Sequence, residues 1–469
     1  MRISKKYLQL VLMAFLCFLM WFRQANSTIV ESFGYPILIS HGAFALAIIV
    51  GMIFYGRNSL KIVQTTPTFR MLFYGLFVFV GWFYLSNNLA DLTLIKSNNW
   101  GLFEVHYYDW LLSLAIIFIA IGIVDKVISS GCEKPFLIWL LILNSIVSAI
   151  LFYLFIFSIS SVLSGDAEDG GLFSGGNKMI LGKVFFVNMI LMTACLRYVV
   201  TQSKLTKVWL NLGHLIITTF IVVVSVRTAL LAWLLLVVLI ALIDLKGAPI
   251  RKLTFKLIVI AGISALALLL STSFLLAGLV SLGYSPNYLF DIETSPLGVL
   301  DEILSSRYSS ALFGISMFME TIVSSAFYAI IGFGNEWSSV LFKSYYGQLV
   351  DVAFPSRDLT WYWQQGESYS PHDSFVDILI SNGLIGFGIF SWILFFVFVS
   401  NRKFIKKRNE YVRIQVNLIL ALAIVVMGFF ATDVDFSGGK IILHLFFVLF
   451  ITSVLLDKRA AKNTIVSVS

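Results

Sequence analysis

Residues 208–243 read VWLNLGHLIITTFIVVVSVRTALLAWLLLVVLIALI, and the strong polar interruptions are Asn211, His214 and Arg227. As one helix at 1.5 Å per residue this run would extend about 54 Å, nearly two hydrocarbon cores of about 30 Å each. Lys204 and Lys207 precede it, and Lys246, Arg251, Lys252 and Lys256 follow it. Both flanks therefore belong on the cytoplasmic side under the positive-inside rule. The run must cross the bilayer twice, turning at Ser225-Val226-Arg227-Thr228. That turn puts Arg227 at the outer surface.

Working outward, the rest of the chain has the same character. Of 469 residues 59% are hydrophobic and only 12% charged, with 15% aromatics and a mean hydropathy of +0.92. Soluble domains carry about 25% charge, so a water-soluble fold is excluded. The expected fold is an all-α polytopic membrane protein of about 12 transmembrane helices, near 7–22, 35–55, 71–86, 108–124, 136–163, 179–198, 208–226, 228–243, 257–281, 375–400, 412–431 and 440–456. Helices 1–9 occupy 1–281, a large outer loop follows over 282–374, and helices 10–12 with an inner C-terminus fill 375–469. Residues 311–333 are apolar around Glu320, yet a crossing there would force Arg402, Lys403, Lys406, Lys407, Arg408 and Arg413 outside. We read 311–333 as an interfacial or re-entrant helix on the outer face. With this topology 24 of the 33 Lys and Arg and 5 of the 25 acids lie inside, against 8 and 20 outside, with Lys183 within a span. The net charge of +8 follows from membrane topology and calls for no nucleic acid. Both termini are expected in the cytoplasm. The run after Arg2, Lys5 and Lys6 imitates a signal peptide but is slightly long for one and is closely followed by Arg23, so it is read as a retained first span. Cys17, Cys132 and Cys195 are too isolated for a disulfide framework or a metal site.

Only the loop 282–374 is large enough to build an outer site; Gly165–Lys178, rich in glycine and acids, reads as a flexible outer loop. The large loop carries Tyr284, Tyr288, Tyr308, Trp337, Tyr345, Tyr346, Trp361, Tyr362, Trp363 and Tyr369, rings that could stack on sugars or form an interfacial belt. Its only cations are Arg307, Lys343 and Arg357, set among many acids. Ser370-Pro371-His372-Asp373 reads as a helix start, with Ser as N-cap, Pro at the first position and an acid at the third. His372 then sits at the outer end of a span, where free amides and the helix dipole favour neutral imidazole and a bound phosphate. Neutral imidazole can take a proton from a sugar hydroxyl; an interfacial hydrogen bond is the plain alternative. Asn382, Gly383, Gly386 and Gly388 follow, small residues that let a helix or lipid tail approach. Arg227 breaks the positive-inside trend and could grip a diphosphate with its fork or snorkel to headgroups. Lys183, about one turn inside a span, could join that anion site or snorkel. Asp433-Val434-Asp435 spells D-x-D but on the outer face, away from nucleotide sugars. Asp166, Glu168 and Asp169 read as solvated acids, and His41, His214 and His444 as packed or hydrogen-bonded.

In their order these features resemble a known family. Val226-Arg227-Thr228-Ala229-Leu230-Leu231 in a tight outer turn, a large outer loop with Arg307 and a half-apolar helix ending in Gly332-Phe333-Gly334, then Pro371-His372-Asp373-Ser374-Phe375 and Asn382-Gly383-Leu384-Ile385-Gly386 are similar to the bacterial O-antigen ligase and O-antigen polymerase superfamily. The resemblance covers 220–390 by motif and the whole chain by topology. It implies a GT-C-like, metal-independent glycosyltransferase of the inner membrane, with no cofactor and its active site facing the periplasm. Its donor and acceptor would be undecaprenyl-diphosphate-linked oligosaccharides, with a chain-length regulator as a further partner. By position Arg227 and Arg307 would hold the diphosphate and His372 would act at the acceptor hydroxyl, with Tyr308, Lys183, Lys343, Arg357 and Asp373 as binding neighbours. Ligases of the group commonly have Asn or Ser after the histidine, where this chain has Asp373. That departure leaves the assignment within the superfamily open, and the long aromatic and acidic loop, suited to reading two glycans, favours a polymerase over a ligase acting on lipid A core. A transporter of lipid-linked glycans is the alternative from another class; transporters place ionisable groups at mid-bilayer on broken helices within repeated halves, and no repeat is visible here.

Overall fold

The computed structural model describes residues 5–93, 105–163, 315, 318–319, 321–334 and 374–405, with single positions at 184, 187 and 191 and a scatter between 444 and 459. All the regular structure among them is helical: α1 (Lys5–Trp21), α2 (Arg23–Ser32), α3 (Leu38–Thr65), α4 (Pro67–Thr93), α5 (Val105–Ser129), α6 (Glu133–Leu163), α7 (Ala326–Ile331) and α8 (Ser374–Ile405). Five of these stretches are long and apolar enough to cross a membrane: Leu38–Thr65, Pro67–Leu89, Trp110–Ser129, Glu133–Leu154 and Val376–Val397. They coincide with five of the expected spans. A sixth expected span, 7–22, is the first limb of a bent pair, Leu8–Trp21 and Ala25–Glu31, which meet at 81°. The expected spans over 208–281 and 412–431 lie outside the described residues.

Large apolar side chains remain exposed along these helices, Leu38 at 78% and Phe54 at 72% among them. In water such surfaces would aggregate; in lipid they are the ordinary outside of a bundle. The inside is packed by aromatics. Phe69, Phe79 and Phe83 of α4 are fully buried, and Phe79 meets Trp110 of α5 edge to face at 4.9 Å and Phe390 of α8 at 5.3 Å. Small residues set the closest approaches, since helices in lipid associate by packing rather than by excluding water. A Cβ on Gly122 of α5 would stand 2.7 Å from the Tyr55 carbonyl of α3, and one on Gly75 of α4 would stand 2.6 Å from the Trp392 ring of α8. α1 belongs to this core, with Leu10, Ala14, Cys17 and Met20 buried.

The helices overrun the expected spans at one end. α3 continues through Arg57 and Lys61 to Thr65, and Pro67 starts α4 at once. Thr66 is extended (φ −116°, ψ 105°), as the residue before a proline must be, and Pro67 begins a helix at no cost because its missing N–H has no partner there. At the same end Lys458 donates to the Thr66 hydroxyl at 3.1 Å, and Arg459 reaches both the Ile128 carbonyl and the Glu133 carboxylate, the latter at 3.3 Å. The α3–α4 turn, the α5–α6 turn and residues 458–459 therefore share one end of the bundle. Arg57, Lys61, Arg70, Lys126 and Lys134 lie within a few helical turns of it.

Candidate functional site

The residues singled out from the sequence, Lys183, Arg227, Arg307, Tyr308, Lys343, Arg357, His372 and Asp373, lie outside the described residues. So do the helix start at Ser370-Pro371 and the acids Asp433 and Asp435. Two described segments flank some of them in sequence: α8, whose described part begins at Ser374 just after His372 and Asp373, and residues 321–334, which precede Lys343.

These two segments meet. The stretch 311–333, expected as one interfacial or re-entrant helix, is not a single helix: Thr321–Ser324 is helical, Ser325 is extended (φ −156°, ψ 99°), α7 follows, and Gly332 and Gly334 both take positive φ, +97° and +75°. α8 is interrupted as well, at Gly383 (φ 65°, ψ −173°). The two breaks lie against each other. Phe333 N–H donates to the Ile380 carbonyl at 3.0 Å and Gly334 N–H to the Ser381 carbonyl at 2.9 Å, in the same order along both segments. A Cβ on Gly332 would stand 2.6 Å from the Gly383 nitrogen, and a Cβ on Gly383 would stand 2.6 Å from the Gly332 nitrogen. Each glycine makes room for the other's backbone. Ser381 lies seven residues past the described start of α8, about 10 Å along its axis, so 332–334 reach well below that helix end.

Breaking a helix in apolar surroundings frees carbonyls that lipid cannot satisfy. Here they find partners: Ile380 and Ser381 as above, and Asn382 through the Trp82 indole N–H of α4 at 2.9 Å. The Asn382 side chain, 0% exposed, accepts from the Ser86 hydroxyl at 3.2 Å and donates to the Ser381 hydroxyl at 2.6 Å. Thr321 and Asp377 are buried too, Asp377 at 8%. Asp377 stands in the first turn of α8, where a carboxylate complements the helix dipole. The sequence reading missed it, although a lone acid in the apolar run from Ser374 to Ser400 is a signal in itself. It also missed Trp82 and Ser86, which nothing in their local sequence distinguishes.

The small residues after the break divide into two kinds. Gly383 and Gly386 meet close neighbours, and a Cβ on Gly386 would stand 3.0 Å from the Trp82 ring, whereas Gly388 faces open space. Gly388 lines an apolar groove of about 460 Å³ between α4 and α8, with Tyr74, Gly75, Val78, Leu384 and Trp392. His444 is buried, as a packed histidine should be, and His41 contacts the Ile37 carbonyl at 3.1 Å. No group of three or more His, Cys, Asp or Glu that could hold a metal ion occurs among the described residues. A broken helix is the kind of feature expected of transporters; here the Ile380, Ser381 and Asn382 carbonyls beside the break are bonded to the protein itself.

Fold and surface together define the class: an α-helical membrane protein with several membrane-spanning helices. No protein-family model matches the chain, and no curated protein matches it.

Proposed function

We propose that the chain is a polymerase of lipid-linked surface polysaccharide repeat units, such as those of O-antigen or capsule. It transfers a glycan from undecaprenyl diphosphate to a sugar hydroxyl of another lipid-linked repeat, on the periplasmic side of the inner membrane and without metal or nucleotide. The acceptor oxygen bonds to the donor's C1 as the C1–diphosphate bond breaks, and His372 takes the hydroxyl proton. Negative charge then builds on the leaving diphosphate, where Arg227 and Arg307 stabilise it. Tyr308, Lys183, Lys343, Arg357 and Asp373 line the substrates. Cations gather at the end of the bundle shared by the two short turns and residues 458–459, which supports putting that end and both termini in the cytoplasm.

The observation that carries the reading is the order of the motifs VRTALL, GFG and PHDSF–NGLIG along the chain. Further support comes from GFG and NG: far apart in sequence, they meet as a pair of backbone breaks. Two motifs of one site should sit together.

The test uses purified full-length chain in lipid vesicles, lipid-linked repeat units as the only substrate, and a gel that resolves product length. A ladder of multimers is expected. No ladder, with transfer to added lipid A core, would make the protein a ligase; silence in both, with substrate crossing the vesicle membrane, would make it a transporter.

A further inference from the structure

Gly334 and Ser381 are bonded through their backbones, and between them runs the stretch that carries Lys343, Arg357, His372 and Asp373. Whatever course that stretch takes, both its ends attach at one point of the bundle. A long segment tethered only through chain connectivity has ends free to shift against each other, and holding them together costs entropy that something must offset. We infer that the paired breaks at Gly332 and Gly383 form a clasp that fixes the base of this stretch, and that Asn382, Trp82 and Ser86 are positioning residues that lock the clasp onto α4. This function for the clasp rests on the proposed transferase reading; its existence does not.

The clasp follows from the groups present. Bonding of the 333–334 amides to the carbonyls of 380–381 is favoured by a break in α8 just beyond them, which the positive φ of Gly383 makes. Close contact of the two chains requires the absence of a side chain at both 332 and 383. α4 supplies the third side, because the Trp82 N–H takes the last freed carbonyl and Ser86 takes the buried Asn382 amide. A shift of α8 or of 321–334 against α4 would strand buried polar groups, so the three elements move together or not at all. The first described residue of α8, Ser374, then has its place set relative to both α4 and the segment 321–334. His372 lies two residues before it in sequence.

The experiment compares Ser86→Ala, Ser86→Thr and Asn382→Ala in the full chain, in membranes, with the unfolding midpoint and the elongation kinetics as readouts. Ser86→Ala removes the hydroxyl that donates to the Asn382 side chain at 3.2 Å, and Ser86→Thr keeps it. In a double-mutant cycle, Ser86→Ala and Asn382→Ala together should cost clearly less than the sum of the two single losses; strict additivity would overturn the clasp. For chain elongation, Ser86→Ala should lose about 10- to 10²-fold in kcat with the KM for lipid-linked repeats nearly unchanged, and Ser86→Thr should restore it. Equal kcat in Ser86→Ala and the parent, or a loss that follows only the amount of protein in the membrane, would overturn the positioning role. If the parent chain elongates nothing, the proposed function fails, and the double-mutant cycle still decides whether the clasp exists.

Discussion

At residue scale the most exacting positions are Gly332 and Gly383. Alanine at either would have to adopt positive φ and would push a methyl against the other's amide nitrogen at 2.6 Å. Backbone strain of that kind costs about 1–3 kcal/mol. We expect Gly332→Ala and Gly383→Ala each to lower thermal stability in detergent by that order, and the double variant to cost clearly less than their sum, because the two share one contact. Strict additivity would mean that the glycines do not face each other. The two arginines make a different demand. Arg227→Ala and Arg307→Ala should each reduce elongation by about 10²–10³-fold, the loss typical of one charge-stabilising donor. Lysine at either position should rescue little, since its point charge lacks the planar fork; full activity of the Lys variants would reduce the role to simple charge.

At the scale of elements, α4 and α8 matter most. Trp82→Phe keeps an aromatic ring but removes the donor to the Asn382 carbonyl. Leaving that carbonyl unpaired in apolar surroundings should cost about 1–3 kcal/mol, read as a lower unfolding midpoint at unchanged membrane insertion; an unchanged midpoint would mean the bond contributes nothing. Elements also show how much the sequence disclosed. Spans such as Leu38–Thr65 and Glu133–Leu154 were legible because a run of apolar side chains is a local property that lipid alone interprets. The end of α3 and start of α4 are written in Thr66-Pro67, although the hydropathy pattern, blind to helix beyond the membrane, stopped the spans short at Arg57 and Arg70. The break in α8 was not legible. Asn382-Gly383 drew notice as small residues that permit approach, but a glycine within an apolar helix can stay helical, and what bends Gly383 is Gly332, remote in sequence. The same holds for 311–333. Its composition allowed an interfacial or a re-entrant helix, and the break that bonds it to 380–381 is a tertiary contact that composition does not carry. For the candidate site, a charge out of place was readable at Arg227, Arg307 and His372 by residue type and position, whereas Asp377 was hidden by the apolar run around it.

At the scale of the molecule, the proposed orientation rests on the charge distribution. The contacts of Lys458 and Arg459 with Thr66, Ile128 and Glu133 bring residues 458–459 to the end that holds the α3–α4 and α5–α6 turns. The Arg459–Glu133 pair is partly exposed and so adds at most about 1 kcal/mol; its value is in showing which segments share a side. Single cysteines at Lys458 and Lys134 should react with a membrane-impermeant maleimide only in inverted vesicles, and a cysteine at Lys343 only in right-side-out cells. Labelling of 343 and 458 from the same side would undo the topology, and with it the periplasmic site. The central claim is that this outer site, with His372 at the acceptor hydroxyl, transfers glycan from a lipid diphosphate. It is tested most directly by the rate of undecaprenyl diphosphate release per glycosidic bond formed, measured for the parent chain and for His372→Ala at equal amounts of folded protein. A general base contributes about 10²–10⁴-fold, so the substitution should cut that rate within this range while donor binding persists. A His372→Ala chain that forms bonds at the parent's rate would contradict the claim.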